Sequence, residues 1–250
     1  GSEMCIRDSN RNVDIQKVGI KHLELPLTIQ RKNSSNQIVC AKARVNVSLP
    51  RDYKGTHMSR FVEVLTEWQH KNLLGVDIKG CLEKIINNLD AQSGELEFKF
   101  TYFINKKSPV KEMVAPMSYH CTFEGRIEEG NYKFILGVEV PVTTLCPCSK
   151  EISENGAHNQ RALIKVKISY DESEQVWLED LIELIESCAS CPVYPLLKRE
   201  DEKYVTEKAW DNPKFVEDVL RDVVVKLRNH PVINAVSYTH LRAHETPEHL

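Results

Sequence analysis

Residues 117–140 read Met-Ser-Tyr-His-Cys-Thr-Phe-Glu-Gly-Arg-Ile-Glu-Glu-Gly-Asn-Tyr-Lys-Phe-Ile-Leu-Gly-Val-Glu-Val. The segments 117–127 and 132–140 are strand-like, with apolar residues recurring at the two-residue period of a half-buried strand. The turn Glu-Glu-Gly-Asn at 128–131 lies between them, and its glycine suits a tight reversal. The stretch therefore predicts a β-hairpin near the middle of the chain.

Similar elements are predicted before this hairpin. Residues 38–49 alternate as in a strand, and apolar side chains at every second position from Leu96 to Tyr102 line one face of another. Between these strands, residues 59–74 and 78–89 carry apolar side chains at three- and four-residue steps, which is the period of an amphipathic helix. We expect the two helices to cover one face of a sheet.

The second half of the chain repeats this order. A strand is predicted at 162–170, a helix at 176–187, a helix opened by the Asn-Pro pair at 212–213, and the start of a strand at 232–236. The sequence thus predicts a duplicated α+β unit. We place the first module at 13–128 and the second, C-terminally incomplete, at 129–236.

The two ends differ from the rest of the chain. Residues 1–9 and 237–250 lack clear periodicity and resemble translated sequencing adapters, so we expect both to be artefactual and exclude them from the fold prediction. His240, His244 and His249 lie in the second of these segments and are a weak candidate for a metal site. The natural chain is expected to continue past Ala235.

Composition indicates a globular protein. The chain has 250 residues, of which 41% are hydrophobic, and 33 Lys and Arg oppose 36 Asp and Glu to give a net charge of -3. This balance gives no whole-chain signature of nucleic-acid or membrane binding. Neither a membrane helix nor a secretory signal is evident, so the cytoplasm is the expected compartment.

The eight cysteines are expected to be reduced thiols, because a chain of this length without an export signal does not need disulfides. Cys40, Cys81 and Cys121 lie in apolar segments and are predicted to pack in the core. Cys188 and Cys191 form a Cys-x-x-Cys pair. No second such pair is present, so we interpret it as structural rather than as a redox or zinc site.

The segment 141–161 is the strongest candidate for an active site. It carries Cys146 and Cys148 around a proline, which is expected to keep both thiols on a stiff loop outside any helix. Cys146 and His158 offer a thiolate and an imidazole, two ligand types of a catalytic zinc site. A buried cysteine and a loop histidine without metal remain the alternative at this point.

A charged run at 198–203, Lys-Arg-Glu-Asp-Glu-Lys, precedes the last predicted helix. The alternative to a functional role is a solvated loop. If the run is functional, Lys198 and Arg199, together with Arg161, could bind an anionic substrate. A metal-bound water is a nucleophile at neutral pH and imidazole can transfer protons there, so metal-assisted hydrolysis is the indicated reaction class.

Residues 145–153, Leu-Cys-Pro-Cys-Ser-Lys-Glu-Ile-Ser, and 156–161, Gly-Ala-His-Asn-Gln-Arg, resemble the signature loop of the prokaryotic type IB GTP cyclohydrolases. Three further segments match this family in the same order: Gly-Thr-His-Met-Ser-Arg-Phe at 55–61, Asp-Glu-Lys-Tyr-Val-Thr-Glu at 201–207 and Asn-Pro-Lys-Phe-Val-Glu-Asp at 212–218. The resemblance covers residues 13–235.

The resemblance implies tandem tunnelling-fold (T-fold) modules, with antiparallel sheets and paired helices on one face, in a homotetramer with active sites at subunit interfaces. It implies hydrolysis of GTP to 7,8-dihydroneopterin triphosphate and formate, the first step of folate synthesis. The divalent metal would be zinc, manganese or iron. Cys146, His158 and Glu202 match metal-site residues, with Cys146 and His158 also catalytic. Glu217 matches the carboxylate that binds guanine.

One family feature is missing, and two other functions remain open. Family members carry a C-terminal segment of the form Glu-Ser-Ile-His-Asn-His with a further metal-site histidine, and no histidine of this chain matches it. A nitrile reductase of the same fold would also use a cysteine and a guanine-binding glutamate, although the segments 145–153 and 156–161 fit it poorly. A non-catalytic oligomeric binding module would show neither metal dependence nor reaction with GTP.

Overall fold

The computed structural model describes residues 13–33, 35–53, 55–69, 71–73, 75–171 and 173–242. The strands and helices of these residues follow one another as β1 (Ile15–Ile29), β2 (Gln37–Leu49), α1 (Met58–Trp68), β3 (Asn72–Leu73), α2 (Gly75–Asn88), β4 (Gly94–Lys107), β5 (Val114–Glu128), β6 (Asn131–Leu145), α3 (Pro147–Ile152), β7 (Asn159–Tyr170), α4 (Leu178–Glu186), β8 (Cys191–Pro192), α5 (Arg199–Asp211), α6 (Val216–Arg228) and β9 (Ile233–Arg242). The predicted segment 1–9, like 243–250, lies outside the described residues.

The chain has a mixed α+β fold and divides into two compact units. Unit 1 comprises the described residues up to Thr101 together with Cys121–Leu136 and Ser169–Gln175. Unit 2 comprises Tyr102–His120, Gly137–Ile168 and the described residues from Val176 onward. The units are interleaved along the chain, whereas the predicted modules are successive repeats of element order. The module boundaries stay a prediction.

In unit 1 the strands are ordered β3-β1-β2-β4-β5-β6. The pairs β1–β2 and β2–β4 are antiparallel, with Val45 opposite both Ile20 and Leu96. Alternate residues of β2 are buried, as the predicted period of two requires. The sequence pattern did not predict strand β1 (Ile15–Ile29). Its first half is largely exposed, so its apolar alternation is weak.

The predicted central hairpin is confirmed. Strands β5 and β6 are neighbours and are joined by a two-residue loop. Both loop residues have positive φ, 51° at Glu129 and 79° at Gly130. This is the backbone of a type I′ turn, whose twist matches that of the flanking strands.

Two helices of unit 1 supply its apolar layer, as predicted. Helix α1 buries Phe61, Val64, Leu65 and Trp68. Helix α2 lies against β4, because a Cβ on Gly94 would come within 3.0 Å of Leu82 and Ile86. Helix α1 was expected to continue to residue 74 but ends at Trp68, since Asn72 and Leu73 pair with β1 as strand β3.

In unit 2 the strands are ordered β4-β5-β6-β7-β9, and β8 pairs with β6. Strand β9 extends to Arg242, although regular structure was predicted only for 232–236. Strand β9 pairs with β7 through main-chain hydrogen bonds. Such pairing can continue where polar and apolar side chains no longer alternate. The suspected foreign origin of 237–250 stays a prediction.

The helices of unit 2 were predicted in part. Helix α4 buries Leu178, Leu181, Ile182 and Ile185, and helix α6 buries Val219, Val223 and Leu227. The prediction that this last helix opens at the Asn-Pro pair 212–213 is wrong, because Lys214 bridges to Leu145 and α6 begins at Val216. Helix α5 was not predicted, because its mostly polar sequence shows little helical periodicity. Among the described helices, none has both the length and the apolar character that crossing a membrane requires.

Of the three cysteines that were predicted to pack in the core, two are buried. Cys81 and Cys121 are buried free thiols, and burial raises the pKa of Cys81 to about 12. Cys40 was expected in the core but is exposed. Its neighbours Val39 and Ala41 occupy the buried face of β2, so strand alternation turns Cys40 outward.

A buried ion pair lies in unit 2. The side chains of Lys106 and Glu186 are only 13% and 11% exposed. Lys106 Nζ donates to Glu186 Oε1 at 2.7 Å and to the carbonyl of Val193 at 2.6 Å, and the Tyr119 hydroxyl donates to the same carboxylate at 2.8 Å. Burial lowers the pKa of Lys106, and the charge of Glu186 opposes that shift.

Replacing Lys106 by Met should destabilise the protein by about 3 to 5 kcal/mol, because Glu186 would be left as a buried carboxylate without its cation. Urea unfolding measures the loss. The matched control is Lys107→Met, which removes the same charge from an exposed neighbour and should change stability by less than about 0.5 kcal/mol. Equal stability of the two variants would contradict the proposed weight of the buried pair.

Candidate active site

The candidate site lies in unit 2, where β6 ends. Cys146 is the N-cap of α3, and Pro147 is the first helical residue. The prediction that Pro147 keeps this stretch out of a helix is therefore wrong, and Cys148 lies within α3. Proline is accommodated because the first helical position needs no N–H donor.

Cys146 and His158 are held together by one main-chain hydrogen bond and by the side chain of Ser149. The N–H of Cys146 donates to the carbonyl of His158 at 3.0 Å, and the N–H of His158 donates to Ser149 Oγ at 2.9 Å. The N–H of Ser149 lies 3.5 Å from Cys146 Sγ. Cys146 is half-buried and His158 is exposed, so a ligand can reach both side chains.

Two local features shape α3 and the connection that leads from it to His158. Gly156 has a φ of 88°, a left-handed backbone conformation that residues other than glycine rarely adopt. Lys150 donates to the carbonyl of Trp210, and its ammonium lies 4.7 Å from the centre of that indole. The second contact ties α3 to the end of α5.

The residue before Cys146 is fixed by two other segments. The N–H of Leu145 donates to Ser190 Oγ at 3.2 Å, and the carbonyl of Leu145 accepts from the N–H of Lys214 at 3.0 Å. Asn212 Nδ2 in turn donates to the carbonyls of Ala189 at 2.9 Å and Ser190 at 3.3 Å. Leu145 is thus bonded both to the segment that follows α4 and to the segment that precedes α6.

A cavity of about 310 Å³ lies beside this loop. Its wall combines the start of β7, the β8 region and one side of α5, formed by Thr143, Asn159, Gln160, Arg161, Cys191, Pro192, Val193, Tyr194, Leu197, Val205 and Thr206. Of the predicted site residues, Arg161 lines it directly. The cavity therefore has a cationic group next to the Cys146–His158 loop.

The charged run at 198–203 is not a solvated loop. Lys198 precedes α5, and Arg199 and Glu202 occupy its first turn, where Arg199 Nη1 lies 3.6 Å from Glu202. Lys198, Arg199 and Glu202, which were predicted as site residues, are all exposed. Asp201, between them, is completely buried.

Asp201 is held ionised by main-chain donors. Burial opposes its charge, but N–H groups of Lys111, Lys198 and Val110 outweigh that penalty and lower the pKa of Asp201 to about 2. This carboxylate therefore stays charged throughout the neutral range.

Glu217 lies in the first turn of α6 and is partly buried. The segment leading into α6 is anchored by Lys214, whose Nζ donates to the carbonyl of Cys188 at 2.8 Å and to Asp222 at 2.8 Å. The same residue holds Leu145 through its N–H. The strand end that leads to Cys146 and the helix that carries Glu217 thus share one anchor.

The donor chemistry of the loop fits a divalent metal in part. A thiol and an imidazole are donors that zinc accepts, and Cys146 and His158 provide them. Within the residues that the structure describes, no three His, Cys, Asp or Glu side chains gather closely enough to hold a metal ion. Glu202 therefore does not form such a group with Cys146 and His158, the other two predicted ligands.

The Cys-x-x-Cys pair is buried. Cys188 and Cys191 are free thiols with 1% exposure, and burial raises the pKa of both. A buried thiol of raised pKa is a poor nucleophile and a poor metal ligand. This environment agrees with the structural interpretation of the pair.

Several supporting residues were missed by the sequence analysis. Ser149, Ser190, Asn212 and Asp201 act through hydrogen bonds to main-chain groups. Serine, asparagine and aspartate commonly bond to nearby backbone, but the sequence does not reveal a partner tens of residues away. Ser149, Asp201 and Asn212 lie inside the family-like segments, which was the available signal, whereas Ser190 lies outside them.

Replacing Ser149 by Ala should accelerate hydrogen exchange at the His158 amide by about two- to tenfold, since a lost hydrogen bond of roughly 0.5 to 1.5 kcal/mol makes local opening easier. Exchange followed by mass spectrometry over residues 153–160 measures this. The control, Ser153→Ala, removes a hydroxyl that donates to Asn155 in the same loop. It should leave the His158 amide unchanged, and equal acceleration in both variants would contradict the assignment.

Solved structures share the architecture. The chain aligns with the uricase from Arthrobacter globiformis at a TM-score of 0.53 and 9% identity, covering 89% of this chain and 79% of that one. It aligns with a uricase from Bacillus fastidious at a TM-score of 0.54 and 10% identity, covering 91% and 83%. At this identity the likeness shows the fold alone, and it confirms the predicted tunnelling-fold class.

Sequence comparisons are more specific. The family model of type I GTP cyclohydrolase folE2 matches residues 4–246. GTP cyclohydrolase FolE2 of Geobacter sp. (strain M21) is 46% identical over 228 residues, covering 91% of this chain and 84% of the relative. GTP cyclohydrolase FolE2 of Thermosipho africanus is 48% identical over 223 residues, covering 89% and 85%. This chain therefore belongs to the type I GTP cyclohydrolase FolE2 family.

Proposed function

We propose that the protein is a metal-dependent GTP cyclohydrolase of type IB, which hydrolyses GTP to 7,8-dihydroneopterin triphosphate and formate in the first step of folate synthesis. The observation that carries the proposal is the attachment of Cys146 to His158 through a main-chain hydrogen bond, beside a cavity lined by Arg161. Family membership supports the same reaction, and the relatives reported above are named GTP cyclohydrolases rather than nitrile reductases.

Cys146, His158 and Glu202 are the proposed metal ligands. The metal is zinc, manganese or iron, and the soft thiolate favours zinc. A divalent metal held by these residues would lower the pKa of a bound water to about 7 and would so make hydroxide available at neutral pH. The thiol of Cys146 and the imidazole of His158 are both accessible enough to reach such an ion.

The remaining residues bind and orient the substrate. Arg161 in the cavity wall, with the exposed Lys198 and Arg199 at the start of α5, offers positive charge for the triphosphate. His158 is also a proposed catalytic residue, as the resemblance to type IB enzymes implies, and imidazole commonly transfers protons in active sites. Glu217 binds guanine, since its two carboxylate oxygens can accept hydrogen bonds from the N–H edge of the base.

We further propose a homotetramer with active sites at subunit interfaces, as the resemblance to type IB enzymes implies, and location in the cytoplasm. Every cysteine with a described environment is a free thiol, which suits a reducing compartment. Size-exclusion chromatography with light scattering measures the assembly directly. A monomeric protein with full activity would contradict the interface proposal.

Replacing Cys146 by Ala should abolish formate release from GTP while the protein stays folded. We expect a loss of more than about a hundredfold, because replacing even an outer-shell partner of a metal ligand costs roughly 10- to 100-fold. The control is Cys148→Ala, which removes the exposed thiol two residues away in α3. Turnover of Cys146→Ala at the level of the control would remove Cys146 from the mechanism.

Replacing Glu217 by Gln should weaken GTP binding without changing metal content, because a guanine N–H would lose its acceptor. A loss of about 1 to 3 kcal/mol is expected, or roughly five- to 150-fold in the dissociation constant. Calorimetry and metal analysis measure the two properties.

The matched control is Asp218→Asn, which removes the adjacent carboxylate and its 2.7 Å contact with Arg221. This variant should bind GTP normally. If Glu217→Gln instead loses metal and retains affinity for GTP, the assigned roles of Glu217 and Glu202 must be exchanged.

A further inference from the structure

One part of the cavity wall lies outside regular secondary structure. Residues 193–197 follow β8 and precede α5, and Val193, Tyr194 and Leu197 among them line the cavity. Strand β8 pairs with β6 over two residues only, and Pro192 is the second of them. The sheet ladder therefore ends immediately before Val193. Beyond that point the wall needs another support, because main-chain groups that leave a ladder must find new partners.

Lys106, near the end of β4, contacts this part of the wall twice. Its Nζ donates to the carbonyl of Val193 at 2.6 Å and lies 4.6 Å from the centre of the Tyr194 ring. Burial raises the pKa of Tyr194 to about 12, so the ring beside the ammonium stays a neutral phenol. A charge-assisted hydrogen bond and a cation over an aromatic face both gain strength where water is excluded. The side chain of Lys106 is 13% exposed, so both contacts lie in such an environment.

The ammonium is itself fixed from its other side. Glu186, the last residue of α4, accepts from Lys106 Nζ at 2.7 Å and from the Tyr119 hydroxyl at 2.8 Å. Tyr119 lies on β5 and is only 2% exposed. A buried carboxylate with two donors holds the cation in one place, since leaving it would strand a charge away from water. Lys106 therefore links the rigid pair Glu186 and Tyr119 to the wall of the cavity.

We propose that Lys106 is a positioning residue for nucleotide binding, whose ammonium holds the main chain of Val193 and the ring of Tyr194 in the wall against which GTP binds. The inference rests on the proposed function. Lys106 is not among the described residues that line the cavity, so it acts through these two neighbours. A wall that is ordered before GTP arrives spares the nucleotide the free-energy cost of ordering it.

A weaker explanation is that Lys106 serves only to neutralise Glu186. In that case its loss would lower stability and leave the GTP affinity of the folded protein unchanged. Tyr119→Phe provides the matched control for this explanation. It weakens the same network at Glu186 by removing one hydrogen bond, and it leaves both contacts of Lys106 with the wall in place.

The test uses the double variant Lys106→Met/Glu186→Gln in the full chain. It removes both charges together, so no buried charge is left alone, and the glutamine oxygen can still accept from the Tyr119 hydroxyl. The KM for GTP should rise by at least about fivefold, because two loosened wall residues must be ordered on binding. The kcat should change by less than about threefold, since the reacting groups are untouched. Tyr119→Phe should keep KM within about twofold of wild type, because the wall contacts remain.

Hydrogen exchange followed by mass spectrometry over residues 191–198 gives a readout that does not depend on turnover. The double variant should exchange about tenfold faster at 193–197 than wild type, because the wall opens more easily, and Tyr119→Phe should not. A wild-type KM or wild-type exchange in the folded double variant would overturn the inference. So would equal changes in Tyr119→Phe, because they would trace the effect to Glu186. A wild-type protein that releases no formate from GTP would instead refute the proposed function, and exchange at 193–197 would still decide whether Lys106 holds the wall.

A second variant covers the case in which circular dichroism shows the double variant to be unfolded. The triple variant Tyr119→Phe/Lys106→Met/Glu186→Leu replaces the whole network by apolar side chains, an exchange that is often neutral or stabilising. The carbonyl of Val193 and the ring of Tyr194 lose Lys106 in this variant as well. It should show the same rise in KM and the same faster exchange at 193–197. Wild-type values of either quantity in the folded triple variant would overturn the inference.

Discussion

The candidate site depends on how the main chain is fixed where β6 ends. Leu145 donates to the side chain of Ser190 and accepts from the N–H of Lys214, and Cys146 donates to the carbonyl of His158. Three segments far apart in sequence thus meet at two consecutive residues. Leu145 itself is 4% exposed and packs with Cys191 in an apolar cluster. Since bonds shielded from water are costly to break, the position of the Cys146 thiol is set before any ligand binds.

This arrangement explains why the motif segments are spread along the chain. The 145–161 loop carries the thiol and the imidazole, α5 carries exposed charges, and α6 carries Glu217. Polar side chains connect these segments, such as Asn212 between the β8 and α6 segments and Lys150 between α3 and α5. Preorganisation of this kind would hold the proposed reacting groups in place without the entropy cost of ordering them at each turnover.

Local patterns in the sequence were sufficient to predict much of the fold. The central hairpin followed from alternation and a glycine turn, and helices α1, α2, α4 and α6 from apolar periodicity. Features set by distant partners were not predictable. Helix α5 has no strong apolar stripe, and it is stabilised by contacts such as those of Asp201 with a turn about ninety positions earlier. The exposure of Cys40 likewise depends on which face of β2 meets the helices.

The candidate chemistry could be predicted from residue types, but the division of labour between neighbouring charges could not. Residues 198–203 appear uniform in sequence, yet Asp201 is fully buried with main-chain partners while Arg199 and Glu202 remain open to solvent. A charge whose hydrogen-bonding capacity is already used by the protein has little left for a ligand, whereas an exposed charge can exchange water for one. Within one helical turn, burial therefore separates a carboxylate that is bonded to the protein from charged groups that remain open to a ligand.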